Sequence, residues 1–161
     1  MEVSTEINEE IFQEFRSTLS NTEKLIDGAD SVLARTELLV HPTRISESSL
    51  LSNVELPSMR MDARVAIDSG LVKHVSGLQL EGILYASQRH QMLLPNGQRA
   101  GFYLGDGAGV GKGRQIAGTI LLAACRGLQK HIWVSTSADL IVDAERDLRG
   151  VGCQMALIGG P

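Results

Sequence analysis

The sequence has no long hydrophobic run, no basic N-terminus and no excess of positive charge. Its longest near-apolar stretch, Ile116 to Cys125, is about half of the ~20 residues that a membrane-spanning helix needs. The N-terminal "MEVSTEINEEIFQEF" is acidic where a signal or targeting peptide carries basic residues. Fifteen Lys and Arg against nineteen Asp and Glu leave a net charge of −4, so no overall positive field attracts nucleic acid. We therefore expect a soluble protein with no membrane partner and no charge-driven nucleic-acid binding over its whole surface.

Cysteine is also scarce. The two cysteines, Cys125 and Cys153, show no metal-ligand spacing, and each lies in an apolar stretch. This pattern predicts buried free thiols in a reducing compartment, and no metal site built on cysteine.

The composition is that of an ordinary globular domain, with 43% hydrophobic and 21% charged residues. Apolar residues at every fourth position from Ile7 to Leu19 predict a helical arm within residues 5–40. Frequent Ser and Pro from 41 to 60 indicate a linker. We place the boundary so that residues 1–53 form the arm and linker and residues 54–161 form the main domain.

Strands and helices are predicted to alternate along the main domain. A helix is indicated by "GLQLEGILYASQRH", a buried helix ending near Gly127 by "RQIAGTILLAACRGLQK", and an amphipathic helix by "ADLIVDAERDLRGVG". Strands are predicted in "AGFYLGD", "HIWVSTS", which contains the predicted core residue Trp133, and "QMALIG". This order is typical of an α/β fold with a parallel sheet.

A glycine-rich loop, "GDGAGVGKGRQ" from Gly105 to Gln115, joins the first predicted strand to the second helix. Such a loop directs backbone N–H groups and the positive end of the helix at one point, which favours an anion. Gly107, Gly109 and Gly111 meet the need for positions without Cβ. Lys112 then stands where its ammonium can reach nucleotide phosphates.

Two kinds of phosphate loop can be compared with this spacing. The dinucleotide pattern G-x-G-x-x-G fails from each possible first glycine, whereas G-x-G-x-G-K, as in nucleoside-triphosphate loops, fits. A glycine-rich turn with a solvated lysine remains the alternative. Asp106 replaces the usual first glycine, and Gly113 replaces the Ser or Thr that ligates Mg²⁺. We expect that water, Asp106 or other residues ligate Mg²⁺ in place of the missing hydroxyl.

The loop and its surroundings closely resemble the Strawberry notch family of helicase-like proteins. The stretches that carry the resemblance are "GLQLEGILYASQRHQMLLPNGQRAG", "GFYLGDGAGVGKGRQIAG" and "HIWVSTSADLIVDAERDLRGVG", within about residues 54–153. The resemblance implies a partial RecA-like P-loop NTPase lobe of the superfamily 2 type. It also implies a nuclear protein in transcriptional regulation, with nucleic acid or chromatin proteins as partners of the full-length protein.

Carried onto this sequence, the resemblance implies a site for ATP and Mg²⁺ with Lys112 as its catalytic residue. Gln79 becomes an adenine reader, because an amide both donates and accepts hydrogen bonds; a polar position on a helix surface is the alternative. Arg114 either contacts phosphate or is only a solvent-exposed residue at the start of the helix. The cofactor-binding residues are then Gln79, Gly107, Ala108, Gly109, Val110, Gly111, Lys112, Gly113 and Arg114.

Downstream of the loop, the acidic and basic residues of "DAERDL" predict a solvated, ion-paired helix face rather than a catalytic group. These residues are Asp143, Glu145, Arg146 and Asp147. Ser137 is either a helix cap or a contact to a nucleic-acid backbone.

A lobe of this type also uses a later acidic pair and an arginine from a second lobe, and neither is present in this sequence. We therefore expect the N-terminal part of a larger ATPase that is inactive by itself. The alternative is a nucleotide-binding or protein-interaction scaffold that does not hydrolyse.

Overall fold

The computed structural model describes Leu39, residues 41–42, residues 57 and 59, and residues 64–159. Apart from Leu39, the predicted helical arm of residues 5–40 lies outside the described residues. The predicted boundary between residues 53 and 54 and most of the predicted linker also lie outside them.

Four α-helices are assigned within residues 64–159. They are α1 (Arg64–Asp68), α2 (Gly77–Arg89), α3 (Lys112–Cys125) and α4 (Leu140–Gly150), and a short 3-10 helix (Leu71–Lys73) precedes α2. The three longer helices confirm the helices predicted from apolar periodicity. The turn after α3 contains Gly127 with φ 89°, a left-handed conformation that ends the helix as expected.

A capping box sets the start of α2. The Ser76 hydroxyl accepts a hydrogen bond from the Gln79 backbone N–H, and the Gln79 side chain accepts one from the Ser76 backbone N–H. These reciprocal bonds satisfy two N–H groups that the first helical turn leaves unpaired. Gln79 is thereby fixed at the end of α2 that faces the glycine-rich loop.

The hydrophobic core lies where α3 packs between α2 and α4. Leu71, Ile83, Leu122 and Val151 are fully buried there. Trp133 is partly buried against this core, in agreement with its predicted core role. The packing holds α3, and therefore the loop that precedes it, between two neighbouring helices.

The three predicted strands have no ladder of hydrogen bonds within residues 64–159. The bridges assigned in the described residues are isolated ones, Leu39 to Ser76 in parallel and Leu93 to Arg99 in antiparallel sense. Apolar side chains on the predicted strands are exposed, with Tyr103 at 90% and Ile132 and Ile158 at 92%. The helical half of the α/β fold is therefore observed, and the parallel sheet stays a prediction.

The two cysteines differ in environment. Cys153 is buried in the core as predicted, but the prediction for Cys125 is wrong, because Cys125 is exposed. It is the last residue of α3, whereas the last buried residue of that helix is Leu122, about one turn earlier. The apolar run that contains Cys125 extends past the buried part of the helix.

In the described part of the chain, no helix has the length and apolar character to cross a bilayer.

Candidate phosphate-binding loop

The glycine-rich loop ends where α3 begins. Gly109 and Gly111 have φ of 86° and 82°, a left-handed region that side chains with a Cβ rarely adopt. Gly111 is the N-cap of α3, and the first helical hydrogen bond joins Gln115 N to Gly111 O at 3.1 Å. The N–H groups of the residues before Gln115 therefore have no carbonyl partner within the helix. They are oriented toward the loop, as an anion site requires.

Lys112 lies across the loop. Its ammonium donates hydrogen bonds to the backbone carbonyls of Asp106 at 2.7 Å and Gly107 at 2.8 Å. The positive charge is thus held at the beginning of the loop while the helix dipole acts at its end. Both are positioned to attract an anion to the same short segment.

Gln79 connects α2 to the end of the loop. Its Nε2 donates to the Val110 carbonyl at 2.9 Å, and its Oε1 accepts from Ser76 N at 3.1 Å. The same Val110 carbonyl lies 3.3 Å from His41 Nε2; because a carbonyl only accepts, Nε2 carries the proton in this contact. Both ends of the Gln79 amide are engaged within the protein, and its contact with adenine stays a prediction.

Gln115 connects α3 to the beginning of the loop. Its side chain is buried, at 2% exposure for the residue, and Nε2 donates to Asp106 Oδ2 at 2.7 Å. Because a carboxylate only accepts, this contact fixes the orientation of the amide. The other end of the amide, Oε1, is buried and accepts no hydrogen bond from the described residues. The two glutamines therefore hold opposite ends of the loop.

Arg114 is directed away from the loop. Its Nη1 donates to the His74 carbonyl at 3.4 Å. Its guanidinium also lies over Gly150 of α4, where a Cβ would stand 2.8 Å from Nη2. The predicted contact of Arg114 with phosphate stays a prediction.

The charged residues of α4 divide into two groups. Arg146 pairs with Asp143 at 2.6 Å and Arg149 pairs with Glu145 at 3.0 Å, all on the exposed face. This part of α4 is the solvated, ion-paired face that the sequence predicts. Asp147 differs, because its side chain is only 14% exposed. It is directed toward the first turn of α3.

Three residues contribute to the site without being predicted from the sequence. His41 lies 69 positions from Val110, so spacing along the chain carries no sign of their contact. Gln115 follows the loop by one helical turn, which places it near the loop without indicating its bond to Asp106. The sequence pattern places Asp147 on the solvated face with its neighbours, because sequence alone does not identify the inward face of α4.

This geometry can be compared with known proteins. The family described as P-loop containing NTP hydrolase pore-1 matches residues 40–159, which include the whole loop and its supporting helices. The chain belongs to this family. The matched region begins upstream of the boundary predicted at residues 53 and 54, and it includes His41.

The curated relatives confirm the Strawberry notch resemblance. Over 111 residues, or 69% of this chain, the identity to human "Protein strawberry notch homolog 2" is 54%. The identity to the Drosophila melanogaster "Protein strawberry notch" is 49% over 70% of the chain. A Caenorhabditis elegans homolog is 40% identical over 89% of the chain.

The chain is short beside these relatives. It spans 8% of the human protein, 7% of the Drosophila protein and 8% of the C. elegans protein. No solved structure matches it. The family and the loop together establish a nucleotide-binding region of the P-loop NTP hydrolase type.

Proposed function

We propose that this region binds ATP together with Mg²⁺ through residues Gly107 to Gly113, as part of a helicase-like protein. The position of the Lys112 ammonium carries the proposal. It is bonded to two loop carbonyls at 2.7 and 2.8 Å. Lys112 is also the first residue of α3, whose first-turn N–H groups have no carbonyl partner within the helix. A triphosphate entering the loop replaces these bonds with stronger ones, because its oxygens carry negative charge and the backbone carbonyls do not.

The residues around the loop fit a magnesium ion. Mg²⁺ in nucleotide sites is held by one or two carboxylates, by phosphate oxygens and by water. Asp106 and Asp147 both bring carboxylates to the loop or to the first turn of α3. When bound, the ion supplies positive charge that neutralises the phosphates, and the protein's own part is to hold them against α3.

The direct test is nucleotide binding by the wild-type chain and by Lys112→Ala. We expect Lys112→Ala to weaken ATP binding by about 10- to 100-fold, because a charged hydrogen bond contributes about 1.5–3 kcal/mol. Lys73→Ala is the matched control, since Lys73 is an exposed lysine of the 3-10 helix, outside residues Gly107 to Gly113. Equal affinities in all three proteins would contradict the proposal.

The role of Gln79 as an adenine reader belongs to the same proposal. Gln79→Glu keeps an oxygen for the Ser76 N–H but removes the donor to Val110. If Gln79 contacts adenine, Gln79→Glu weakens ATP binding more than binding of inorganic triphosphate. An equal loss for both ligands indicates that Gln79 acts only by holding the loop.

For the full-length protein we propose ATP-driven action on nucleic acid or chromatin in the nucleus, in transcriptional regulation. The Strawberry notch resemblance supports this proposal. The experiments are ATP turnover by the full-length protein with and without nucleic acid, and its location in cells by microscopy. Turnover that Lys112→Ala abolishes supports a motor.

A non-hydrolysing nucleotide-binding scaffold is the second candidate. One observation favours it: position 113 is glycine and lacks the hydroxyl that ligates Mg²⁺ in common phosphate loops. This function is selected if the full-length protein binds ATP without hydrolysing it and still forms the same complexes with its protein partners.

A further inference from the structure

Gly113 lies against a carboxylate. A Cβ built on Gly113 would overlap Asp147 Oδ2 and would lie 3.2 Å from Asp147 Cγ. The carboxylate of α4 therefore occupies the space that the side chain of residue 113 takes in phosphate loops with Ser or Thr at this position.

Backbone conformation does not account for the glycine. Gly113 is the second residue of α3 and is not among the described glycines with positive φ. At a helical position glycine is less favourable than alanine. The close approach of Asp147 is the feature of the structure that disfavours a Cβ here, because the aspartate side chain would have to shift to admit one.

We propose that the Asp147 carboxylate supplies the metal-directed oxygen that residue 113 lacks, so that a divalent cation bound with the nucleotide is held or oriented from α4. This inference rests on the proposed nucleotide site. A carboxylate is a suitable ligand for a hard divalent cation, either directly or through a bound water. It adds a full negative charge where a serine or threonine offers a neutral hydroxyl.

Asp147 is better suited to this task than its neighbours. Asp143 and Glu145 pair with arginines at 2.6 and 3.0 Å on the exposed face. Asp147 Oδ1 accepts a longer bond, at 3.5 Å, from Arg146 Nη2, and its Oδ2 lies against Gly113. Asp106 already accepts a bond from the buried Gln115 at 2.7 Å. Asp147 therefore combines a largely buried side chain with a carboxylate that is weakly engaged and lies against Gly113.

The structural alternative is that Asp147 only stabilises the N-terminus of α3 through its charge. The two roles differ in what they change. A stabilising charge affects unfolding but leaves the metal dependence of nucleotide affinity intact. A metal-directed carboxylate affects the tightening that the metal produces.

The experiment measures ATP affinity of the protein in EDTA and in Mg²⁺, for wild type and Asp147→Asn. We expect the metal to tighten binding to wild type, and Asp147→Asn to reduce this tightening by roughly 10- to 100-fold. Metal-free affinity is expected to stay equal or to increase, because a negative charge near the phosphates is removed. Glu145→Gln, on the exposed face of the same helix and paired with Arg149 rather than with Arg146, is the matched control and is expected to behave as wild type.

A second variant pair moves the oxygen back to residue 113. Gly113→Ser alone places its Cβ against the Asp147 carboxylate and is expected to weaken binding in both conditions. Asp147→Ala removes the carboxylate and keeps a Cβ, which stands 3.9 Å from the Cβ of residue 113, an ordinary contact. We expect the Gly113→Ser and Asp147→Ala double variant to regain metal-dependent tightening that Asp147→Ala lacks.

Unfolding curves recorded for each variant separate loss of the fold from loss of the metal effect. Tightening by Mg²⁺ that survives in Asp147→Asn overturns the inference and leaves the proposed function intact. A wild type whose ATP affinity ignores the metal overturns both the inference and the Mg²⁺ part of the proposed function, while ATP binding itself stands. A wild type that binds no ATP in either condition overturns the proposed function as well.

Discussion

The side-chain amide of Gln115 is buried beside a carboxylate at the beginning of the phosphate loop. Its Nε2 lies 2.7 Å from Asp106 Oδ2, and its Oε1 has no partner among residues 64–159. A buried amide oxygen without a partner costs about 1–3 kcal/mol. The stabilisation from the bond to Asp106 is therefore offset by the unpaired oxygen at the other end of the same amide.

Gln115→Glu is predicted to destabilise the protein strongly at pH 8, by about 3 kcal/mol, because it buries a carboxylate against Asp106. The folded-state pKa of the introduced carboxyl group would then lie above its unfolded value, so the folded state binds the extra proton and the deficit shrinks as pH falls. Urea unfolding at pH 8 and pH 6 measures this. Gln115→Met is the control, and a deficit for Gln115→Glu that is independent of pH would contradict the prediction.

His90, the C-cap of α2, has a pKa below the usual value for histidine. Burial is the larger cause, and the positive charge of Arg99 adds to it. Arg99 also donates to the His90 carbonyl at 2.5 Å. The folded state therefore favours neutral His90, and its contribution to stability is present above the unfolded pKa and is lost as pH falls toward the folded one.

Arg99→Gln is predicted to raise the His90 pKa part of the way to the ordinary value, since burial remains. An NMR titration of the imidazole measures the change. Lys130→Gln, a charge change at an exposed position, is expected to leave the titration as in wild type. A His90 pKa that does not respond to Arg99→Gln would show that burial alone sets it.

At the scale of elements, α2 and α3 approach each other at a glycine. A Cβ on Gly118 of α3 would stand 2.5 Å from Ile83 Cδ1 of α2 and 3.3 Å from Leu71 Cδ1. All three residues are buried. The position of α3, and hence of the loop before it, depends on this close contact.

Gly118→Ala is predicted to destabilise the protein by up to about 2 kcal/mol. Overpacking costs about 1–3 kcal/mol, and alanine regains about 1 kcal/mol over glycine within a helix. Ile83→Val removes the Cδ1 atom that the new methyl meets. The double variant should therefore lose less unfolding free energy than the sum of the losses of the two single variants. Denaturant unfolding measures all three losses. Simple additivity would mean that the contact between the new methyl group and Ile83 is relieved elsewhere.

At the scale of the whole molecule, exposed apolar residues on the predicted strands coexist with a small net charge. Tyr103, Ile132 and Ile158 lie almost fully in solvent, and the chain carries −4 at pH 7 with an isoelectric point near 5.5. Charge repulsion between copies therefore disappears close to pH 5.5.

We predict that the chain associates more at pH 5.5 than at pH 8, as measured by light scattering at equal concentration. Ile132→Thr should reduce the association at pH 5.5, because it removes apolar surface that is exposed in the monomer. The exposed Lys130→Gln change should not reduce it. Scattering that is equal at both values of pH would contradict this view of the surface.

Several features of the fold and site could be predicted because they depend on neighbouring positions in the chain. The start of α3 after Gly111 follows from the glycines and the apolar pattern beyond them, and the exposed ion pairs of α4 follow from helical spacing. The exposure of Cys125 could not be predicted, since periodicity does not show where a helix leaves its neighbours. The bond between Gln115 and Asp106 requires the loop to fold back on α3.

By itself, the sequence determined the family, the position of the glycine-rich loop and the helices beside it, because loop spacing and apolar periodicity are local properties of the chain. Only the tertiary structure decided which side chains surround the loop. Gln79 meets Val110 and Asp147 meets Gly113 because packing in the core brings α2 and α4 against α3. The reason for a glycine at position 113 lies in that packing, since its own backbone is helical and a carboxylate from another helix fills its side-chain space.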